Sequence, residues 1–62
     1  MIDAIVAEAE AQGFVAWQTI SGVWFLSRDG DTFSLGRLPD TPQRWAVFLR
    51  HVRGAGVRLP ND

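Results

Sequence analysis

The sequence predicts an α+β fold of αβββα order, a three-stranded antiparallel meander with two helices on one of its faces, and three observations lead there. Apolar residues repeat at helical spacing near both ends of the chain. Aromatic and β-branched residues dominate the middle, and the turn dipeptides Ser21-Gly22 and Asp29-Gly30 divide that middle into three runs. Both helical stripes and one sheet face need cover, and placing the two helices on the same side of the sheet meets all three needs at once.

The first helix follows from Ile2, Ile5, Val6 and Ala9, which share the i, i+3, i+4, i+7 stripe, with Asp3, Glu8, Glu10 and Gln12 around the rest of the cylinder. Asp3 suits the positive N-terminal end and Gly13 supplies a left-handed stop, so the spacing predicts a helix over about 2–12. The three strands then read Phe14 to Ile20, Val23 to Arg28 and Asp31 to Leu35. Asp29-Gly30 is a two-residue hairpin signal, since a type I′ turn needs positive φ at both central positions. It sets Arg28 opposite Asp31, Leu26 opposite Phe33 and Trp24 opposite Leu35. If Ser21-Gly22 also makes a two-residue turn, Trp17 faces Leu26 and Thr19 faces Trp24. Val15, Trp17, Trp24, Leu26, Phe33 and Leu35 then form the covered face, and Gln18, Ile20, Val23, Phe25, Ser27, Thr32 and Ser34 the open one.

Gly36 to Asp40 reads as a loop, and Thr41-Pro42 as a helix start, because Thr caps exposed backbone N–H groups and Pro fits the first helical position. Trp45, Phe48, Leu49 and Val52 repeat the helical stripe with Arg44, Arg50, His51 and Arg53 off it, predicting a second helix over about 42–53. Gly54 and Gly56 end it, and Val57 to Pro60 is a short extended tail. The expected core gathers Trp17, Trp24, Leu26, Phe33, Trp45, Phe48 and Leu49.

With 62 residues, no cysteine and one histidine, the chain is expected to be one domain, 1–62, with neither disulfide nor structural metal. Its stability must come from aromatic packing or from association with another chain. The longest apolar runs, Phe14 to Trp17 and Val23 to Leu26, are far short of a signal peptide or a membrane span, so a soluble cytoplasmic protein is expected. All six basic residues are Arg, and charge is divided along the chain: residues 1–31 carry −4 and residues 32–62 carry +3. That balance lies well below what a nucleic-acid-binding domain usually shows, and it favours a protein partner.

The side chains exclude several chemistries. One His cannot complete a zinc site, and the six glycines stand singly at element boundaries rather than in a phosphate-binding loop. Glu8 and Glu10 do not face each other on a helix, and Asp29 and Asp31 flank a turn glycine. His51 has no nucleophile or carboxylate placed beside it by sequence. No catalytic residue, metal or cofactor is therefore expected. Two candidate surfaces remain. Arg44, Arg50 and Arg53 of the second helix are possible contacts for an anionic partner. Ile20, Val23 and Phe25, flanked by Gln18 and Ser27, form the stronger candidate for partner binding, unless the tail with Val57 and Leu59 folds over them.

A helix ending in Ala11-Gln12-Gly13-Phe14, a hairpin with Gly22 near its start, and a closing Phe48-Leu49-Arg50-His51-Val52-Arg53-Gly54-Ala55-Gly56-Val57 resemble the HicA-type toxins, small domains of the double-stranded-RNA-binding fold. The resemblance implies a shared fold and, for the family, RNA cleavage by a His in a Gly-Ser-His at the start of the second strand. This chain has Gly22-Val23-Trp24 there, and it lacks a Lys-rich RNA-binding patch. The expected function is thus a non-catalytic interaction module, of a size suited to a phage- or mobile-element-encoded inhibitor of a host or defence protein. It would bind a protein partner or a second copy of itself. A HicA-like RNA-binding or RNA-cleaving domain working through the Arg-rich second helix is the alternative.

Overall fold

The computed structural model describes residues 1–60, in which α1 (Ile2–Ala11), β1 (Val15–Gln18), β2 (Val23–Arg28), β3 (Asp31–Arg37) and α2 (Pro42–Gly54) follow one another. The sheet order is β1-β2-β3, antiparallel throughout, so the αβββα arrangement stands as expected. α1 lies over β1 and α2 over β3. Ile5 and Ala9 of α1, Leu26 and Leu35 of the sheet, and Phe48 and Val52 of α2 make one buried cluster, which puts both helices on the face that bears Leu26. Among the described residues no helix is long and apolar enough to cross a membrane.

Each boundary has a local cause. Gly13 takes φ +91 just past α1, where the chain reverses into Phe14. At α2, the Thr41 hydroxyl accepts from the Arg44 backbone N–H at 3.1 Å and Pro42 opens the helix. The β2–β3 turn has φ of 55° at Asp29 and 84° at Gly30, the two positive values a type I′ turn requires.

The turn between β1 and β2 overturns part of the expected register. Its loop contains three residues, Ile20, Ser21 and Gly22, closed by a Gly22 N–H to Thr19 carbonyl bond of 2.9 Å and a Thr19 N–H to Val23 carbonyl bond of 2.9 Å. Gly22 sits at φ +91, the left-handed third position of such a loop, which a residue with a Cβ adopts only at a cost. One extra loop residue slides β1 by one place: Ala16 pairs with Leu26, Trp17 with Phe25 and Gln18 with Trp24. Because side chains alternate, every β1 side chain changes face. Trp17 and Val15 leave the expected core for the open face, where they are 38% and 63% exposed, and Ala16 takes the covered position.

A second correction concerns β3. The pairs Arg28–Asp31 and Leu26–Phe33 hold, but beyond Phe25 a bulge leaves Leu35 without an opposite residue, and Trp24 pairs with Gly36 rather than Leu35. Gly36 at φ +83 absorbs the extra residue, and β3 continues to Arg37, through part of the segment read as a loop.

Of the expected core, Leu26 and Phe48 are buried, Trp24, Phe33, Trp45 and Leu49 are half-buried against it, and Trp17 is absent. Phe14, Ala55 and Val57, which flank the helices, are buried with them. Val57 is held there by a clamp on the following residue. The Gln12 side-chain amide donates to the Arg58 carbonyl at 2.6 Å and accepts from the Arg58 N–H at 2.7 Å, joining the end of α1 to the tail 46 residues later. Arg28, on the covered side, lays its guanidinium 4.1 Å from the Phe14 ring centre and donates to the Gln12 carbonyl at 3.1 Å. These contacts close the end of the core where α1, β2 and the tail meet.

Candidate functional site

The face of the sheet away from the helices is built by alternation. Val15 and Trp17 of β1, Val23, Phe25 and Ser27 of β2, and Thr32 and Ser34 of β3 point to it, by their pairing opposite one another and by their offset from Leu26. None of these side chains carries a charge, and Arg37, opposite Val23 at the end of β3, adds a cation at the margin of the face. Trp17 and Phe25, directly opposite across the β1–β2 ladder, stack with ring centres 5.6 Å apart and planes 12° from parallel. Val15 stands beside this pair, and the polar row Ser27, Thr32 and Ser34 borders it on the β3 side. The site is an apolar strip with a hydroxyl-bearing margin. No described segment covers it, since Val57 packs into the core on the helix side and Leu59 packs against that same core.

The sequence-derived site residues divide accordingly. Val23, Phe25 and Ser27 lie on this face as expected. Gln18 does not: the slide in register turns it to the side of Trp24, and its amide donates to the Gly22 carbonyl at 3.3 Å, where it supports the turn. Ile20 sits in the turn itself and is fully exposed at the rim. Val15 and Trp17 were placed in the core by sequence and are the site's additions. The local signal for them was Thr19 followed three residues later by Gly22, the first and last positions of a type I turn, with the Thr19 hydroxyl accepting from the Val23 N–H at 3.1 Å.

The three Arg expected on α2 do not form one patch. Arg50 and Arg53 follow Arg44 at steps that, with 3.6 residues per turn, place them about 120° and 180° around the helix from it. Arg44 pairs with Asp40 at 3.0 Å with both side chains exposed, and with Arg37 and His51 it lines a groove between the β3–α2 loop and α2. Arg53 lines a different groove, between α1 and α2, with Glu8 and Leu49. Among the described residues no group of three His, Asp or Glu stands close enough to hold a metal ion.

One buried polar atom has no partner among the described residues, the Trp24 indole Nε1. Its lost hydrogen bond costs about 1–3 kcal/mol, a large figure for a domain of this size. Comparison of the chain with protein-family models, with curated proteins and with solved structures finds no match in any of the three.

Proposed function

We propose that the chain is a non-catalytic protein-interaction module that docks a protein partner on the helix-free face of its sheet. The observation that carries this reading is the Trp17–Phe25 stack, an aromatic pair in parallel geometry on a largely apolar face that no described segment covers. A rigid aromatic slab loses little conformational entropy on binding, and aromatic anchors bordered by polar residues are the usual energetic centre of protein interfaces. The free strand edges are poorer docking elements. β1 has four residues, and the bulge at Leu35 breaks the regular edge of β3. The role this suits is that of a small inhibitor that works by occupying a surface of its target, consistent with the origin in a phage or mobile element that the size suggests.

The test is quantitative capture by the tagged full chain from host lysate, with protein and RNA both measured, for wild type, Phe25→Ser and Arg50→Gln. The expected result is a discrete protein captured by wild type and Arg50→Gln and lost with Phe25→Ser, whose fold is checked by circular dichroism. Burial of Phe25 is worth about 1.5–3 kcal/mol, so the loss should be roughly ten- to a hundredfold. Recovery of RNA in place of protein, abolished by Arg50→Gln, would favour a HicA-like RNA-binding role and overturn the proposal.

A further inference from the structure

Across the helix-free face, Trp17, Phe25 and Ser34 pair into one row, and Val15, Ser27 and Thr32 into the row beside it. Three strands about 4.8 Å apart, with three side-chain levels about 6.7 Å apart along them, span roughly 300 Å². A stable dimer or a globular partner needs about 800 Å² from each side, so the face alone is too small for a second copy and fits a short segment. Side-chain bulk falls steeply along both rows, and the Trp17–Phe25 stack stands as an aromatic wall beside a floor of small hydroxyl-bearing residues. Among the described residues, the hydroxyls of Ser27, Thr32 and Ser34 and the Trp17 indole N–H have no hydrogen-bond partner.

Taking this face as the docking surface, we infer that it receives an uncharged proline-rich segment in the polyproline II conformation. Such a segment has no internal hydrogen bonds, so its carbonyls are free to accept from the four donors, and at about 3.1 Å per residue six residues match the length of the face. Its proline rings supply apolar surface for the aromatic wall and bring no N–H that needs an acceptor. Being preformed, it loses little entropy on binding, which so small a contact requires. An amphipathic helix would cover the wall, but its carbonyls are bonded within the helix and the donors would be buried unpaired. Single-stranded nucleic acid needs a positive track for its phosphates beside the stacking rings, whereas the paired positions of this face offer one cation, Arg37 at the margin. The ring centres, 5.6 Å apart, also leave no room for a base between them, which takes about 7 Å.

The experiment is NMR titration of the full chain with acetyl-hexaproline-amide, the flexible control acetyl-Ser-Ala-Ser-Ala-Ser-Ala-amide, and oligo-uridylate. The expected outcome is saturable shifts of the Trp17 indole N–H and the Phe25, Ser27 and Ser34 amides, with a Kd of about 1 mM or tighter for hexaproline and binding of the control at least about fivefold weaker. Because no ion pair forms, added salt should change the Kd by less than about twofold. Phe25→Ser, with its fold checked by circular dichroism, should abolish the shifts. Trp17→Phe, which keeps a ring and loses the indole donor, and Ser34→Ala should each weaken binding about two- to tenfold, while Arg50→Gln leaves it unchanged. Absence of shifts at about 5 mM hexaproline, equal binding of the control, or tighter binding of oligo-uridylate would overturn the inference. So would a dimer seen by sedimentation and lost with Phe25→Ser. If hexaproline fails to bind while Phe25→Ser still abolishes capture from lysate, the proline-rich occupant falls and the docking face stands; if Phe25→Ser leaves capture unchanged, the docking face itself falls.

Discussion

Trp17→Ala and Leu26→Ala together test the register on which the candidate site depends. Leu26 is 1% exposed at the centre of the covered face, and a buried Leu→Ala change costs about 2–5 kcal/mol through lost transfer energy and the cavity left behind. Trp17 is a far larger residue, but it is 38% exposed and its described ring contact is the stack on Phe25. Aromatic stacking contributes about 0.5–1.5 kcal/mol and a cross-strand pair about 0.2–1 kcal/mol, so Trp17→Ala should cost about 1–2 kcal/mol and leave no cavity. At about 0.05–0.15 kcal/mol per residue, a chain of this length has a total stability of only several kcal/mol. One kcal/mol therefore moves the melting temperature by about 4–8 °C. Thermal unfolding followed by far-ultraviolet circular dichroism should show Trp17→Ala folded, with Tm lowered by about 5–15 °C, and Leu26→Ala unfolded or nearly so at room temperature. Had β1 the register of a two-residue turn, Trp17 would lie against Leu26 and its loss would cost about 3–5 kcal/mol. Equal destabilisation by the two substitutions, or a larger effect at Trp17, would refute the register and remove Trp17 from the face.

Two other substitutions address what holds the covered side together. Gln12→Ala removes both hydrogen bonds of the clamp on Arg58 and should cost about 1–2 kcal/mol in chemical denaturation, with amide exchange at Val57 and Arg58 accelerating more than exchange at Leu26; uniform acceleration would contradict the clamp. Trp24→Phe deletes the unpaired indole N–H together with part of the ring, two effects of about 1–3 kcal/mol and opposite sign, so stability should change by less than about 1 kcal/mol. A loss above about 3 kcal/mol would mean that Nε1 is hydrogen-bonded in solution.

What sequence could and could not show turns on a few residues. Both helices were legible because each stripe is complete and each end is chemically marked, Gly13 closing one and Thr41-Pro42 opening the other. The β2–β3 hairpin was legible because Asp29-Gly30 has one good solution. Ser21-Gly22 has two, since its glycine serves a two-residue turn as readily as the last position of a three-residue one. Choosing between them decides the face of all of β1. The bulge at Leu35 was hidden for a similar reason: Gly36 reads equally as the end of a strand or as the residue that lets the strand carry an extra member. The burial of Val57 depends on contacts with residues remote in sequence, which no local pattern encodes. The candidate face was therefore found in its β2 half, Val23, Phe25 and Ser27, and missed in its β1 half, Val15 and Trp17.

The central claim, that the helix-free face receives the partner, is tested most directly by where a photo-crosslinker reacts. Thr32 is exposed on that face, opposite Ser27, and Arg50 is exposed on α2. With a benzophenone amino acid placed at either position in the full chain and illuminated in host lysate, the account predicts one discrete protein adduct from position 32, reduced at least about tenfold when Phe25→Ser is added, and none of that size from position 50. An adduct formed from position 50 and not from position 32, or one from position 32 that is indifferent to Phe25→Ser, would contradict it.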